Sequence, residues 1–171
     1  RFLAPGLVFS VAAYLAMAGL GLHILSSARA RMVEGVARGP AVFIVSPLSG
    51  KQNWDVVGGA KASSDNSVIT LTGEATQWST QFQSIEIPAL RRGDFILEYD
   101  IETTNGFMGI GILDARPSGP WLTTLPRIMQ KTGAIRFQAH GIPLRVSLFN
   151  SNVTPSNTVA KIRKLTLYSV P

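Results

Sequence analysis

Two hydrophobic periods divide this chain. Residues 2–27 run apolar without a charged side chain, bounded by Arg1 and Arg29. A helix rises about 1.5 Å per residue, so roughly 20 such residues cross a hydrocarbon core about 30 Å thick. The run exceeds the apolar centre of a secretory signal peptide, about 7–15 residues, and predicts a retained membrane-spanning helix over residues 1–30. Pro5 fits its first turn, where a missing N–H costs nothing. A juxtamembrane linker, residues 31–40, follows. Met32 and Val36 stand at helical spacing within it, so the linker is expected to prolong the helix and hold the next domain at a fixed angle. Gly39-Pro40 ends it, because proline disfavours a helical conformation at the residue before it.

From residue 41 the period becomes two. Alternation predicts strands at 41–46, 67–73, 78–87, 94–103, 107–113, 135–139, 144–150 and 159–168. The clearest is 94–103, with Phe95, Leu97, Tyr99 and Ile101 on one face and Glu98, Asp100 and Glu102 on the other. In 78–87, Trp78, Thr80, Phe82 and Ser84 share a face. The Thr-Asn-Gly signal at 104–106 predicts that its flanking strands pair as a hairpin. Short strands with no competing helical pattern imply an all-β antiparallel sandwich of jelly-roll type over residues 41–171.

Charge modifies this picture at the membrane. The 16 Lys and Arg against 10 Asp and Glu give a net charge of +6. Arg29, Arg31 and Arg38 follow the helix closely and suit a basic collar at anionic headgroups. By the positive-inside tendency they lean the β-domain towards the cytoplasmic side of a membrane, here taken as a bacterial inner membrane. Ala12, Ala16, Gly19, His23 and Ser26 recur at spacings of three and four, one helix face on which another membrane helix could pack. His23 also offers a contact to a pigment or haem, although the sequence otherwise calls for no cofactor. No basic block is interleaved with aromatics, so nucleic acid is not an expected partner.

Residues 54–114 carry a recognisable order: Trp-Asp-Val-Val-Gly-Gly-Ala, Leu-Thr-Gly, Trp-Ser-Thr-Gln-Phe-Gln, the strand Gly-Asp-Phe-Ile-Leu-Glu-Tyr-Asp-Ile, then Met-Gly-Ile-Gly-Ile-Leu-Asp. Leu-Phe-Asn and Lys-Ile-Arg-Lys-Leu-Thr-Leu follow downstream. The order resembles jelly-roll carbohydrate-binding or galactose-binding-like modules. That resemblance implies a glycan held by exposed aromatics with amide and carboxylate side chains; Trp54, Trp78, Gln81, Trp121 and Asn150 match in kind.

Catalytic chemistry finds little footing. The chain contains no cysteine, which excludes thiolate nucleophiles and cysteine metal sites. It has no G-x-S-x-G elbow, phosphate-binding loop or H-E-x-x-H pair. His140 lies in a His-Gly-Ile-Pro turn. Gly109-Ile-Gly111 reads as close packing or a bulge. Asp94, Glu98, Asp100 and Glu102 read as a solvated sheet face, and Asn152-Val-Thr154 is a glycosylation triplet. The expectation is a non-enzymatic single-pass protein serving as an accessory subunit of a larger membrane complex, such as a photosynthetic or respiratory assembly, with other membrane subunits and the bilayer as partners. The alternative is a membrane-tethered glycan-binding module.

Overall fold

The computed structural model describes residues 33, 35–45, 52–65 and 67–171. The helix face Ala12, Ala16, Gly19, His23 and Ser26, with Arg29 and Arg31, lies outside them. Among the described residues no helix is long and apolar enough to cross a membrane. They form strands only: β1 (Ala41–Ile44), β2 (Trp54–Val56), β3 (Lys61–Asp65), β4 (Val68–Thr72), β5 (Thr80–Ser84), β6 (Gly93–Asn105), β7 (Met108–Asp114), β8 (Trp121–Leu125), β9 (Thr132–Ala139), β10 (Leu144–Asn150) and β11 (Val159–Ser169).

Antiparallel pairing sorts these strands into two sheets. One runs β3-β4-β11-β6-β9, with β1 also on β11, and the other runs β2-β5-β10-β7-β8. Alternation decides what lies between them. Phe95, Leu97, Tyr99 and Ile101 from β6 meet Met108, Ile110, Ile112, Leu144, Val146 and Leu148 from the other sheet in one buried cluster. The all-β antiparallel sandwich expected from the sequence is present.

The β6–β7 pairing is corrected. β6 bonds to β11 and β9, whereas β7 bonds to β10 and β8. The turn at Gly106 therefore carries the chain from one sheet to the other. Gly106 takes φ +66, and a side chain there would meet the Asn152 amide at 2.7 Å. A tight-turn signal specifies a reversal of the chain; it does not say whether the strands it joins pair with each other.

The acidic face of β6 is neutralised rather than bare. A bulge in β11 between Ile162 and Lys164 turns both Arg163 and Lys164 outward while Ile162 and Leu165 stay buried. Arg163 bonds Glu102 at 2.6 Å, Lys164 bonds Glu98 at 2.7 Å, and Arg136 pairs with Asp94.

Arg38, expected at a membrane surface, also belongs to this ladder. Its Nε donates to Glu98 at 2.8 Å, and its Nη1 donates to the carbonyls of Val33, at 3.1 Å, and Val36. The expected helical continuation is absent across 35–40. Gly35 stands at φ +85 and the chain runs on without helix. The segment is nonetheless fastened: Gly39 N–H donates to Ser169 O at 2.8 Å and Ser169 N–H donates to Pro40 O at 3.2 Å.

Burial pushes the Glu98 carboxyl up, but hydrogen bonds and charge from Lys164 and Arg38 prevail and hold it below 4.5. A lowered folded value means stabilisation that is present above pH 4.5 and lost as pH falls through the folded value. Glu98→Gln is therefore expected to lower stability at neutral pH by about 1 kcal/mol. In urea melts the gap should close in the acid range. A gap that stayed constant with pH would show that the carboxylate charge does not hold the segment.

Candidate functional site

The outward face of the five-stranded sheet is built by the phase of its two central strands. In β10, Leu144, Val146 and Leu148 point inward, which turns Arg145, Ser147 and Phe149 outward. In β7 the inward set is Met108, Ile110 and Ile112, leaving Gly109, Gly111 and Leu113 outside. Register sets Phe149 opposite Gly109 and Ser147 opposite Gly111. The glycines leave a floor without side chains, and aromatic rings occupy it. A Cβ at Gly109 would overlap the Phe149 ring, and one at Gly111 would stand 2.9 Å from the Trp121 ring.

Three aromatics therefore form a row. Trp121 meets Phe149 edge-on at 5.4 Å between centroids, and Phe149 meets Trp78 at 5.9 Å with planes tilted by 38°. Phe149 is only 5% exposed, whereas Trp121 is 40% and Trp78 58% exposed. Large rings left in water at this level, supported from beneath by a third ring, present a stacking surface. A polar row runs beside them: register aligns Asp55, Gln83, Ser147, Gly111 and Thr124 across the sheet. The Ser147 hydroxyl is buried and has no hydrogen-bond partner among the described residues.

Trp78 does not extend the β5 face that alternation assigned it. It sits in the turn before β5 at φ +62, a left-handed conformation unusual for a bulky residue. The surrounding loop enforces it. Trp78 N–H donates to Asn150 O at 2.8 Å, and Asn150 N–H donates to Ser79 O at 3.0 Å. Strain of this kind costs about 1–3 kcal/mol and persists only where neighbours over-determine it, commonly at functional sites.

Of the residues matched to glycan binding from the sequence, Trp78 and Trp121 come together through Phe149. Trp54 does not join them. It is buried in the core, stacked on Phe82 at 5.4 Å. Gln81 and Asn150 are fully buried beneath the loops. Gln81 accepts from Glu74 N–H at 2.6 Å. The Asn150 amide donates to Glu74 O and Ser156 O at 2.8 and 3.0 Å, and its oxygen accepts from Asn152 N–H at 2.9 Å. Both position the loop that carries Trp78. Phe149 was missed, yet its signal was present: the inward phase of Leu144, Val146 and Leu148 forces it outward.

Elsewhere, Asn152 is 4% exposed, and its amide is engaged with Phe107 N–H, Ser156 O and Thr158 Oγ1, so the glycosylation triplet is closed in the folded state. A groove of about 280 Å³ lies beside Phe107, walled by Ile101, Ile128 and Met129. The Arg127 guanidinium lies 3.7 Å above the Phe107 ring centroid. Among the described residues no group of three or more His, Asp or Glu is placed to hold a metal ion.

No family model matches this chain, and no curated protein does. Solved structures do. The chain is similar to the CBM22-1–GH10 modules of Clostridium thermocellum endo-1,4-beta-D-xylanase 10B, complexed with xylohexaose. That likeness has TM-score 0.52 and 10% identity, over 75% of this chain and 28% of that one. It is also similar to a point mutant of a family 29 carbohydrate-binding module complexed with mannohexaose, at TM-score 0.50 and 12% identity, over 78% of this chain and 93% of that one. At such identities the likeness is one of fold. The β-sandwich is similar in fold to those of jelly-roll carbohydrate-binding modules.

Proposed function

We propose that this protein is a non-catalytic glycan-binding module that stacks sugar rings on Trp121 and Trp78, held in a row by the buried Phe149 between them. The observation that carries the reading is the exposure of two tryptophans on a sheet face, supported by a buried phenylalanine over a glycine floor. Pyranose rings carry an apolar face of C–H groups. The apolar faces of such rings pack on aromatics, while Gln83, Asp55 and Thr124 stand where sugar hydroxyls need partners. The fold likeness supports the same reading. In it, residues 2–27 tether the module to a membrane and Arg29 and Arg31 lie beside the headgroups. Arg38 takes no part there, being committed to Glu98. The alternative of an accessory subunit in a membrane complex rests on the helix face and His23, outside the described residues, and no feature of the described residues favours it.

The test uses the full chain in a detergent without a sugar headgroup, first on a glycan array and then by calorimetry. Trp78→Ala and Trp121→Ala are each expected to weaken binding by about tenfold or more and to cost less stability than a core tryptophan, since both rings are partly exposed. Trp54→Ala should do the reverse, lowering stability by about 3–5 kcal/mol. Failure to bind any glycan at millimolar concentration, or binding indifferent to both exposed tryptophans, would sink the proposal.

A further inference from the structure

We infer that the glycan carries an anionic substituent, a carboxylate or a sulfate ester, and that Arg127 reads it; the inference rests on the aromatic row being the sugar-contact surface. The argument begins with placement. Phe107 lies opposite Ser151, one step beyond the Met108–Asn150 pair, and so shares the outward phase of β7 with Gly109. Gly109 is the residue that Phe149 covers, and a Cβ there would stand 2.7 Å from Pro126 O. The chain segment leading into Arg127 therefore borders the aromatic row. Phe107, 42% exposed and in the outward phase, carries the Arg127 guanidinium over its ring beside that row, at a groove that Glu102 and Lys131 also line.

Arg127 differs from the cations held in ion pairs, and its contact with the Phe107 ring separates it from Lys61, Arg91, Arg92 and Lys161, which have no ion pair among the described residues either. Arg38, Arg136, Arg163 and Lys164 meet carboxylates across the outer face of the six-stranded sheet. Arg116, Lys131 and Arg145 have acidic partners of their own. Arg127 has no carboxylate partner and no hydrogen bond to protein among the described residues. The Phe107 ring nonetheless holds it, its Cζ 3.7 Å from the ring centroid. A guanidinium anchored on a ring without other partners keeps its N–H groups free for a ligand. Such a group can bind the paired oxygens of a carboxylate or sulfate as a fork. A sugar stacked on the exposed Trp78 or Trp121 would bring substituents of an adjoining residue towards it.

The experiment compares matched polymers that differ only in charge, using the full chain in a detergent without a sugar headgroup. Polygalacturonate against its methyl ester reads the carboxylate; dextran sulfate against dextran reads the sulfate. At about 50 mM salt the anionic member of at least one pair should bind about tenfold or more tighter, the gap shrinking at about 500 mM. Arg127→Gln should erase the gap and leave the neutral polymer's affinity and the melting temperature unchanged. Lys161→Gln removes one charge from the outer face of the other sheet and should preserve the gap. Binding of charged and neutral members with equal affinity overturns this inference and leaves the glycan-binding reading standing. A gap that Lys161→Gln reduces as much as Arg127→Gln also overturns it, because the attraction would then be net charge alone. Binding of no polymer in either pair, and of no glycan on the array, overturns both.

Discussion

Asn150→Ala is expected to lower stability by about 2–5 kcal/mol and glycan affinity by about tenfold or more, although Asn150 itself never reaches the surface. Its fully buried amide joins the loop before β5 to the loop after β10, donating to Glu74 O and Ser156 O and accepting from Asn152 N–H. Alanine would strand the Glu74 carbonyl and the Asn152 N–H. Ser156 O keeps the bond from Asn152 Nδ2 at 2.9 Å. Each stranded buried group costs about 1–3 kcal/mol, which in a domain of this size shifts melting by about 5–20 °C. The main-chain bonds of residue 150 to Trp78 and Ser79 remain, but the side-chain tie to Glu74 is lost, so the loop that carries Trp78 loosens and the ring is held less firmly beside Phe149. Calorimetric melting and glycan titration on one preparation read both effects. A variant melting within about 2 °C of the parent would show that the loops hold themselves.

Gly109→Ala is expected to strike the row from beneath. The new methyl group would overlap the edge of the Phe149 ring and stand 2.7 Å from Pro126 O. A ring clamped between two tryptophans and a backbone carbonyl both yield poorly. Overpacking of this kind costs about 1–3 kcal/mol, and displacing Phe149 removes the support that the exposed rings share. Glycan binding should fall by about tenfold or more, in line with losing one stacked ring. Pairing Gly109→Ala with Phe149→Leu makes space for the methyl group. The double variant should regain the part of the stability lost to the ring overlap, though not the part lost to Pro126 O, and should not regain binding, a coupling that a thermodynamic cycle measures directly. Unaltered binding by Gly109→Ala alone would mean that Phe149 is not the support for the row.

The central strands were legible because burial on one face writes its period into the chain. Phe95, Leu97, Tyr99 and Ile101 were assigned to one face, and all four lie in the core. The strands that escaped notice, β2, β3 and β8, all sit at sheet edges. An edge strand packs against one neighbour and stays largely wet. Lys61–Asp65, for example, is exposed at four of its five residues and shows no apolar alternation. Trp54, Trp78 and Trp121 illustrate the same limit for the site. Residue type marks an aromatic as capable of stacking. Whether it is spent in the core or left on the surface depends on the phase of its strand and on what crosses over it.

Composition and period by themselves determined that the chain is an apolar N-terminal run followed by an antiparallel β-sandwich without thiol chemistry. Both depend on local quantities, the length of an uncharged stretch and the alternation of buried side chains. The tertiary structure decided which sheet each strand joins, that Gly109 and Gly111 form a floor beneath Phe149 and Trp121, and that Asn150 and Gln81 hold a loop. It also decided that the Arg127 guanidinium lies over the Phe107 ring without a counter-ion among the described residues. Those facts join residues tens of positions apart, and only the register between strands brings such residues into contact.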